Sequence, residues 1–344
     1  MKKPGVFDSL ARAAGEKRAG ARGRVVFWLS IALAALFLFL AVRDLSWSSF
    51  FDTLQKARYI FLPVLFIWGA LSLLVRAARW RVLIGYEKEV PCRNVFFANA
   101  AGYLGNNIFP ARAGELVRAA YLGTENNISV SFVLATGIVE RIMDLIALVI
   151  LGAFSLALAG PVSGPLQTGL FFMSALGCVG LASIFTLPCF NIQLASLVKR
   201  FPVNDNLKAR LENFLNQFLD GLQSLRNPAR AARFLLYTSL VWLMDGLGMV
   251  FAARILNLNL PIQQAMLLLS GLGLSSAIPS TPGYVGVYQF MAAQILGPFG
   301  FSNADSVALV LFAQISNFLV ILFWGLIAMG RFTKKTPIPA ETKE

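Results

Sequence analysis

Three short runs place ionisable or helix-breaking residues inside segments otherwise composed for lipid. The first, NNIFPARAGELVR, sets Asn106, Asn107, Arg112, Glu115 and Arg118 around a Pro110/Gly114 break. Proline ends an incoming helix, and glycine lets backbones approach closely. A helix restarting near Gly114 would present free N–H groups and a positive dipole end to an anion. Arg112 and Arg118 could then grip a phosphate through paired donors. Glu115 and Arg118 also stand three residues apart on one helical face, so a structural clasp between them is the competing reading.

The second run is VERIMD. Glu140 and Asp144 are spaced i, i+4, and Arg141 reaches Asp144 at i, i+3. Three charges in one turn of a membrane helix must face protein or a wet cavity, because facing lipid costs several kcal/mol. The turn could orient Arg112 or Arg118, touch substrate directly, or lie at the cytoplasmic interface. The third run, SSAIPSTPGYVGVYQ (275–289), carries Pro279, Pro282, Gly283 and Gly286, which unwind a helix, and Ser280, Thr281, Tyr288 and Gln289, which offer neutral hydrogen bonds. Its competing reading is a buried turn without a ligand. Pro110, Gly114, Pro279, Pro282, Gly283 and Gly286 are the expected hinges. Asp245, a lone acid in an apolar run, is either a proton or cation carrier or the partner of a buried arginine, the second being preferred.

The elements that position these runs follow from composition. Only 14% of the 344 residues are charged and 57% are apolar, against about 25% charged in a soluble domain; mean hydropathy is +0.67. The chain is therefore an integral membrane protein. The net charge of +13 sits in short loops between apolar spans, as the positive-inside rule and anionic headgroups explain. Nucleic acid is not an expected partner. The absence of histidine removes the commonest general base and transition-metal ligand. The scattered Cys92, Cys178 and Cys189 show no metal or disulfide spacing.

Six segments are apolar and long enough to cross a bilayer, which takes about 20 residues: 25–42, 59–76, 130–159, 166–188, 233–256 and 304–330. Residues 1–24 form a basic cytoplasmic segment, 25–330 a single membrane domain, and 331–344 a cytoplasmic tail. The loop holding Arg76, Arg79, Arg81, Lys88 and Arg93 is basic and inside, whereas 160–165 is uncharged and outside. With 191–232 basic and inside, 94–122 must begin and end on the cytoplasmic side, and 262–298 on the outer side. Both are expected as re-entrant hairpins, or as further spans making eight helices. The fold class is thus all-α and polytopic, with span, hairpin, span occurring twice in a pattern that suggests an inverted repeat. Within 205–225, leucines and phenylalanines recur at helical spacing. That predicts an amphipathic helix in the cytoplasmic interface, or one docking a soluble partner.

No Walker loop, HExxH or GxSxG is present, so no catalytic residues, cofactor or metal are expected. Four ordered motifs, Arg76-x-x-Arg79-Trp80, NNIFPARAGELVRAAYL, VERIMD and PSTPGYVGVYQ, resemble the membrane domain of the lysylphosphatidylglycerol synthase/flippase family, also called UPF0104, over residues 25–330. The resemblance implies a multi-pass protein of a prokaryotic inner (plasma) membrane, both termini cytoplasmic, that moves polar or anionic lipids between leaflets. It also implies a soluble aminoacyl-transfer domain in some members. This chain is expected to lack that domain, which points to other lipids, including hopanoids and isoprenoid-linked ones. Membrane lipids are the expected partners, with a lipid-synthesising or glycosyl-transferring enzyme as a further one. The alternatives are a non-transporting scaffold for such an enzyme, or an ion-coupled small-solute transporter.

Overall fold

A computed structural model describes residues 32–158 and 222–335 apart from 34, 44, 109–112 and 277–281, together with isolated positions between the two blocks. The described residues form helices joined by turns and short loops, with no strand among them. In chain order the helices are α1 (Trp47–Gln55), α2 (Leu62–Ile84), α3 (Cys92–Ile108), α4 (Gly114–Asn126), α5 (Val130–Leu158), α6 (Pro228–Ile255), α7 (Ile262–Ser275), α8 (Val287–Leu296) and α9 (Asn303–Lys335). The chain is an all-α polytopic membrane protein.

Tyr59–Ile84, Val130–Leu158, Pro228–Ile255 and Asn303–Arg331 are long and apolar enough to cross a membrane. At 1.5 Å per residue, the 29 residues of α5 extend about 43 Å. Their outer faces leave Ile60, Phe154 and Leu236 exposed, as side chains bounded by acyl chains rather than water should be. Local chemistry sets the starts: the Asn227 side chain accepts hydrogen bonds from the Ala229 and Arg230 amides ahead of Pro228, capping orphan donors while proline pre-sets the first turn. The expected span at 25–42 lies partly, and that at 166–188 almost wholly, outside the described residues. So does most of the amphipathic segment at 205–225, whose described end buries Leu219, Leu222 and Leu225 in one cluster with Leu83 and Phe234.

The expected boundary of the second span is corrected. Arg76, Arg79 and Arg81 do not lie in a basic loop; α2 continues through all three to Ile84. The helix continues because the two inward-facing arginines find carboxylates, so their charge gives it no reason to end.

Both interrupted segments fold as helical hairpins. In the first, Lys88 Nζ donates to the Asn126 carbonyl and Asn94 Nδ2 to the Asn126 side chain, closing the base, while Asn106 and Glu115 meet at the tip. Gly114 packs against the Gly102 carbonyl and Asn106, where a Cβ would overlap both, so glycine alone permits α3 and α4 to lie this close. The second hairpin pairs α7 with α8 through Gly271 against Ile295.

The packing follows a two-fold pattern. α2 lies on α6; α3 of the first hairpin packs on α9, and α7 of the second packs on α5. α4 lies on α5 as α8 lies on α9. The order span, hairpin, span therefore runs twice, with each unit's hairpin lodged against the other unit's last span.

Candidate functional site

Arg79, on an inward face of α2, is 0% exposed. Its Nη1 donates to Asp144 Oδ1 at 2.5 Å, and its Nη2 to Glu140 Oε1 at 2.6 Å and Asp144 Oδ2 at 3.1 Å. Glu140, also 0% exposed, accepts through its other oxygen from Arg118 Nη1 at 2.8 Å. Arg118, 3% exposed, pairs through Nε with Glu115 at 2.5 Å. Glu115 in turn accepts from Arg141 Nη2 at 2.8 Å. Arg141 Nη1 lies 3.7 Å from Asp144, which returns to Arg79.

These contacts close a ring: Arg79, Asp144, Arg141, Glu115, Arg118, Glu140. Signs alternate, and each group touches two of the opposite charge, so the ring sums to zero. Ions withdrawn from water cost several kcal/mol each unless partners with good geometry surround them, and this arrangement satisfies that condition. Arg118 has further support. Its guanidinium stacks 4.4 Å from the Trp80 ring centroid, its Nη1 reaches Asn99 Oδ1 at 3.2 Å, and a Cβ at Gly137 would stand 2.7 Å from its Nη2. Trp80 is itself held by its Nε1–H donating to Thr136 Oγ1 at 3.1 Å. The ring joins α2, α4 and α5, and so anchors the first hairpin.

Beside the ring lies a cavity of about 560 Å³, lined by Asn106 and Asn107 from the first hairpin tip, by Gly283, Tyr284 and Tyr288 from the second, and by Arg76, Tyr103, Arg141, Asp144, Trp242 and Gln314. An adjoining chamber of about 360 Å³ shares Arg76, Tyr103, Trp242, Tyr288 and Gln314; both cavities are otherwise lined mainly by apolar side chains, Leu145, Leu148 and Phe318 in the first and Leu65, Met249 and Leu272 in the second. At their junction Arg76 Nη2 pairs with Asp245, which also accepts from the Ser72 hydroxyl at 3.0 Å. Asp245 is therefore the partner of an arginine.

The second hairpin tip is shaped by its glycines. Gly283 and Gly286 have φ of 76° and 91°, a region that side chains with a Cβ rarely adopt. Gln289 accepts from the Gly286 amide at 2.7 Å and donates to Gln314 Oε1 at 2.5 Å; Gln314 donates to the Gly283 carbonyl at 2.8 Å. The turn is thus fastened to α9. Tyr284 and Tyr288 stack with ring centroids 4.8 Å apart.

Of the residues expected at a binding site, Asn106, Asn107, Arg141, Asp144 and Tyr288 line the cavity together. Glu115, Arg118 and Glu140 stand behind it in the ring, and Gln289 is spent on the turn. Arg112, Ser280 and Thr281, with the expected hinges Pro110 and Pro279, lie outside the described residues, as does the side chain of Pro282. Sequence reasoning missed Arg76, Arg79, Asn99, Tyr103, Trp242 and Gln314. The signal for the first two was present: Leu73, Ala77, Trp80, Leu83 and Ile84, all buried, continue the helical period through the arginines.

Comparison with known proteins gives a consistent picture. A family model described as the lysylphosphatidylglycerol synthase TM region matches residues 27–325. A UPF0104 membrane protein of Methanocaldococcus jannaschii is 29% identical over 63% of this chain and 90% of its own. A second, from Methanothermobacter thermautotrophicus, is 28% identical over 75% of this chain and 78% of its own. Glycosyltransferase AglD of Haloferax volcanii is 27% identical over 58% of this chain and 39% of its own length. No solved structure matches.

Proposed function

The chain belongs to the lysylphosphatidylglycerol synthase TM region family, and from that premise we propose that it is a translocase for polar lipids. The headgroup occupies the cavity between the hairpin tips, and the acyl chains lie along the apolar side chains that line it and the adjoining chamber. One observation carries this reading: two adjoining cavities of about 560 and 360 Å³ with shared walls inside a membrane bundle, both lined mainly by apolar side chains with Arg76, Arg141, Asp144 and Asp245 set among them. Charged groups set in mainly apolar walls match the two-part chemistry of an amphiphile, as neither a uniformly polar solute nor a free hydrocarbon would. Charged side chains at membrane depth otherwise face protein or water, and broken helices meeting inside a bundle are a recurrent plan of transporters. Asn106, Asn107, Arg141, Asp144 and Tyr288 contact the headgroup, while the buried ring holds them in register.

The test is lipid movement in vesicles containing the purified full chain. Fluorescently tailed anionic, aminoacylated, zwitterionic and isoprenoid-linked lipids are placed in the inner leaflet, and an impermeant quencher reports their arrival outside. Movement of at least one class above empty vesicles is expected. Movement of none of them refutes the proposal.

The similarity to part of a named glycosyltransferase favours one second reading, a membrane scaffold for a glycosyl-transferring enzyme. Under that reading a stoichiometric enzyme partner co-purifies, and vesicles carrying the chain alone move nothing.

A further inference from the structure

The geometry points to Arg76 as the residue that takes the phosphate of an anionic lipid, with Asp245 as the counterion that holds the site when no lipid is present. This rests on the translocase reading and names its ligand chemistry. Each ring arginine is bound by two carboxylates. Arg76 differs: its Nη2 meets Asp245, and its Nη1 and Nε have no partner among the described residues. It lines both chambers, a charge set among the apolar side chains that would flank lipid tails.

The neighbouring groups point the same way. Trp242 Nε1 and the Tyr103 hydroxyl belong to residues lining both chambers, yet both atoms are buried without a hydrogen-bond partner among the described residues. A buried unsatisfied donor costs about 1–3 kcal/mol. Together with Arg76, which lines the same two chambers, these residues form a donor set suited to an oxyanion. A phosphodiester offers two equivalent anionic oxygens, matching the planar fork of an arginine side. Asp245, steadied by the Ser72 hydroxyl, pairs with Arg76, so that guanidinium has a counterion within the protein. Lipid phosphate and Asp245 therefore compete for one guanidinium.

Competition fixes the sign of the test. Binding of dioctanoyl phosphatidylglycerol to the full chain in non-ionic detergent is measured by titration calorimetry, with dioctanoylglycerol and inorganic phosphate as the comparison arms. Arg76→Gln is expected to weaken phosphatidylglycerol binding about tenfold or more, the loss of a charge-assisted contact. Asp245→Asn is expected to tighten it by about tenfold, since the resting counterion is gone. A purely structural pair predicts weakening by both variants. If Asp245→Asn does not fold, Ser72→Ala, which loosens the counterion, is expected to tighten binding, and weakening there overturns the proposal. If Arg76→Gln does not fold, Arg76→Lys keeps the charge without the fork and should still bind several-fold more weakly; unchanged binding overturns the proposal.

Equal binding of dioctanoylglycerol, or inorganic phosphate binding as tightly as the lipid, overturns the lipid-phosphate assignment. Those failures leave lipid movement in vesicles intact. A chain that moves no lipid at all defeats the underlying translocase reading instead.

Discussion

Replacing Glu140 by Gln removes one charge from the ring and leaves the rest intact. Glu140 is 0% exposed and holds Arg79 at 2.6 Å and Arg118 at 2.8 Å. Without it the ring carries one uncompensated positive charge, and each arginine keeps only one of its two carboxylates. Breaking a buried ion pair by removing one partner costs about 3–5 kcal/mol. Glutamine still offers one acceptor oxygen, so the low end, about 3 kcal/mol, is expected. Against a total stability of about 5–15 kcal/mol this is a large fraction. The measurement is unfolding in mixed micelles titrated with dodecyl sulfate and followed by helical circular dichroism, with amide hydrogen exchange reporting on 114–126. Exchange should rise first in α4, since that helix is held to α5 through Arg118 and Glu115. The double variant Glu140→Gln/Arg118→Gln restores neutrality and should be less destabilised than the sum of the singles by about 0.5–3 kcal/mol. A loss under about 1 kcal/mol for Glu140→Gln, or strict additivity in the double, would refute the ring as a mutually dependent unit.

Three further outcomes follow from individual contacts. Gly114→Ala drives a methyl into the Gly102 carbonyl and Asn106 and should separate α3 from α4, read as aggregation on size exclusion and loss of cooperative unfolding; a monodisperse, wild-type-like variant would contradict that packing. Gly283→Ala meets no atom of the described residues within 4 Å but must hold φ near 76°; a destabilisation of about 1–2 kcal/mol from backbone strain is expected, with no change in oligomeric behaviour. Trp80→Phe keeps an aromatic face for Arg118 but leaves Thr136 Oγ1 without its indole donor; it should cost about 1 kcal/mol for the hydrogen bond beyond its size change, and Trp80→Leu more, as the cation–π contact goes too.

The membrane class, the all-helical architecture and the two interrupted hairpins were legible in the sequence, because each rests on local pattern: apolar length, charge in short loops, and proline–glycine breaks. Two ion pairs were legible on the same ground. Glu115 with Arg118 and Arg141 with Asp144 are spaced to meet on one helical face, and they do. Asp245 was expected to find an arginine, but nothing in its surroundings says which.

Only the packing decided the rest. Arg79 meets carboxylates 61 and 65 residues away, and Arg76 meets one 169 residues away; no spacing rule reaches that far. Read locally, the two arginines marked the end of a span, since a charge facing lipid would stop a helix there. In the folded chain they face α5 and α6, the charge is answered, and α2 runs on. The run from Asn106 to Arg118 shows the same division. Its sequence determined that charges would stand at a broken helix inside a membrane. The tertiary structure decided that Glu115 and Arg118 close a neutral ring behind the cavity while Asn106 and Asn107 face into it, because how a buried charge is used depends on which opposite charges the other helices bring within reach.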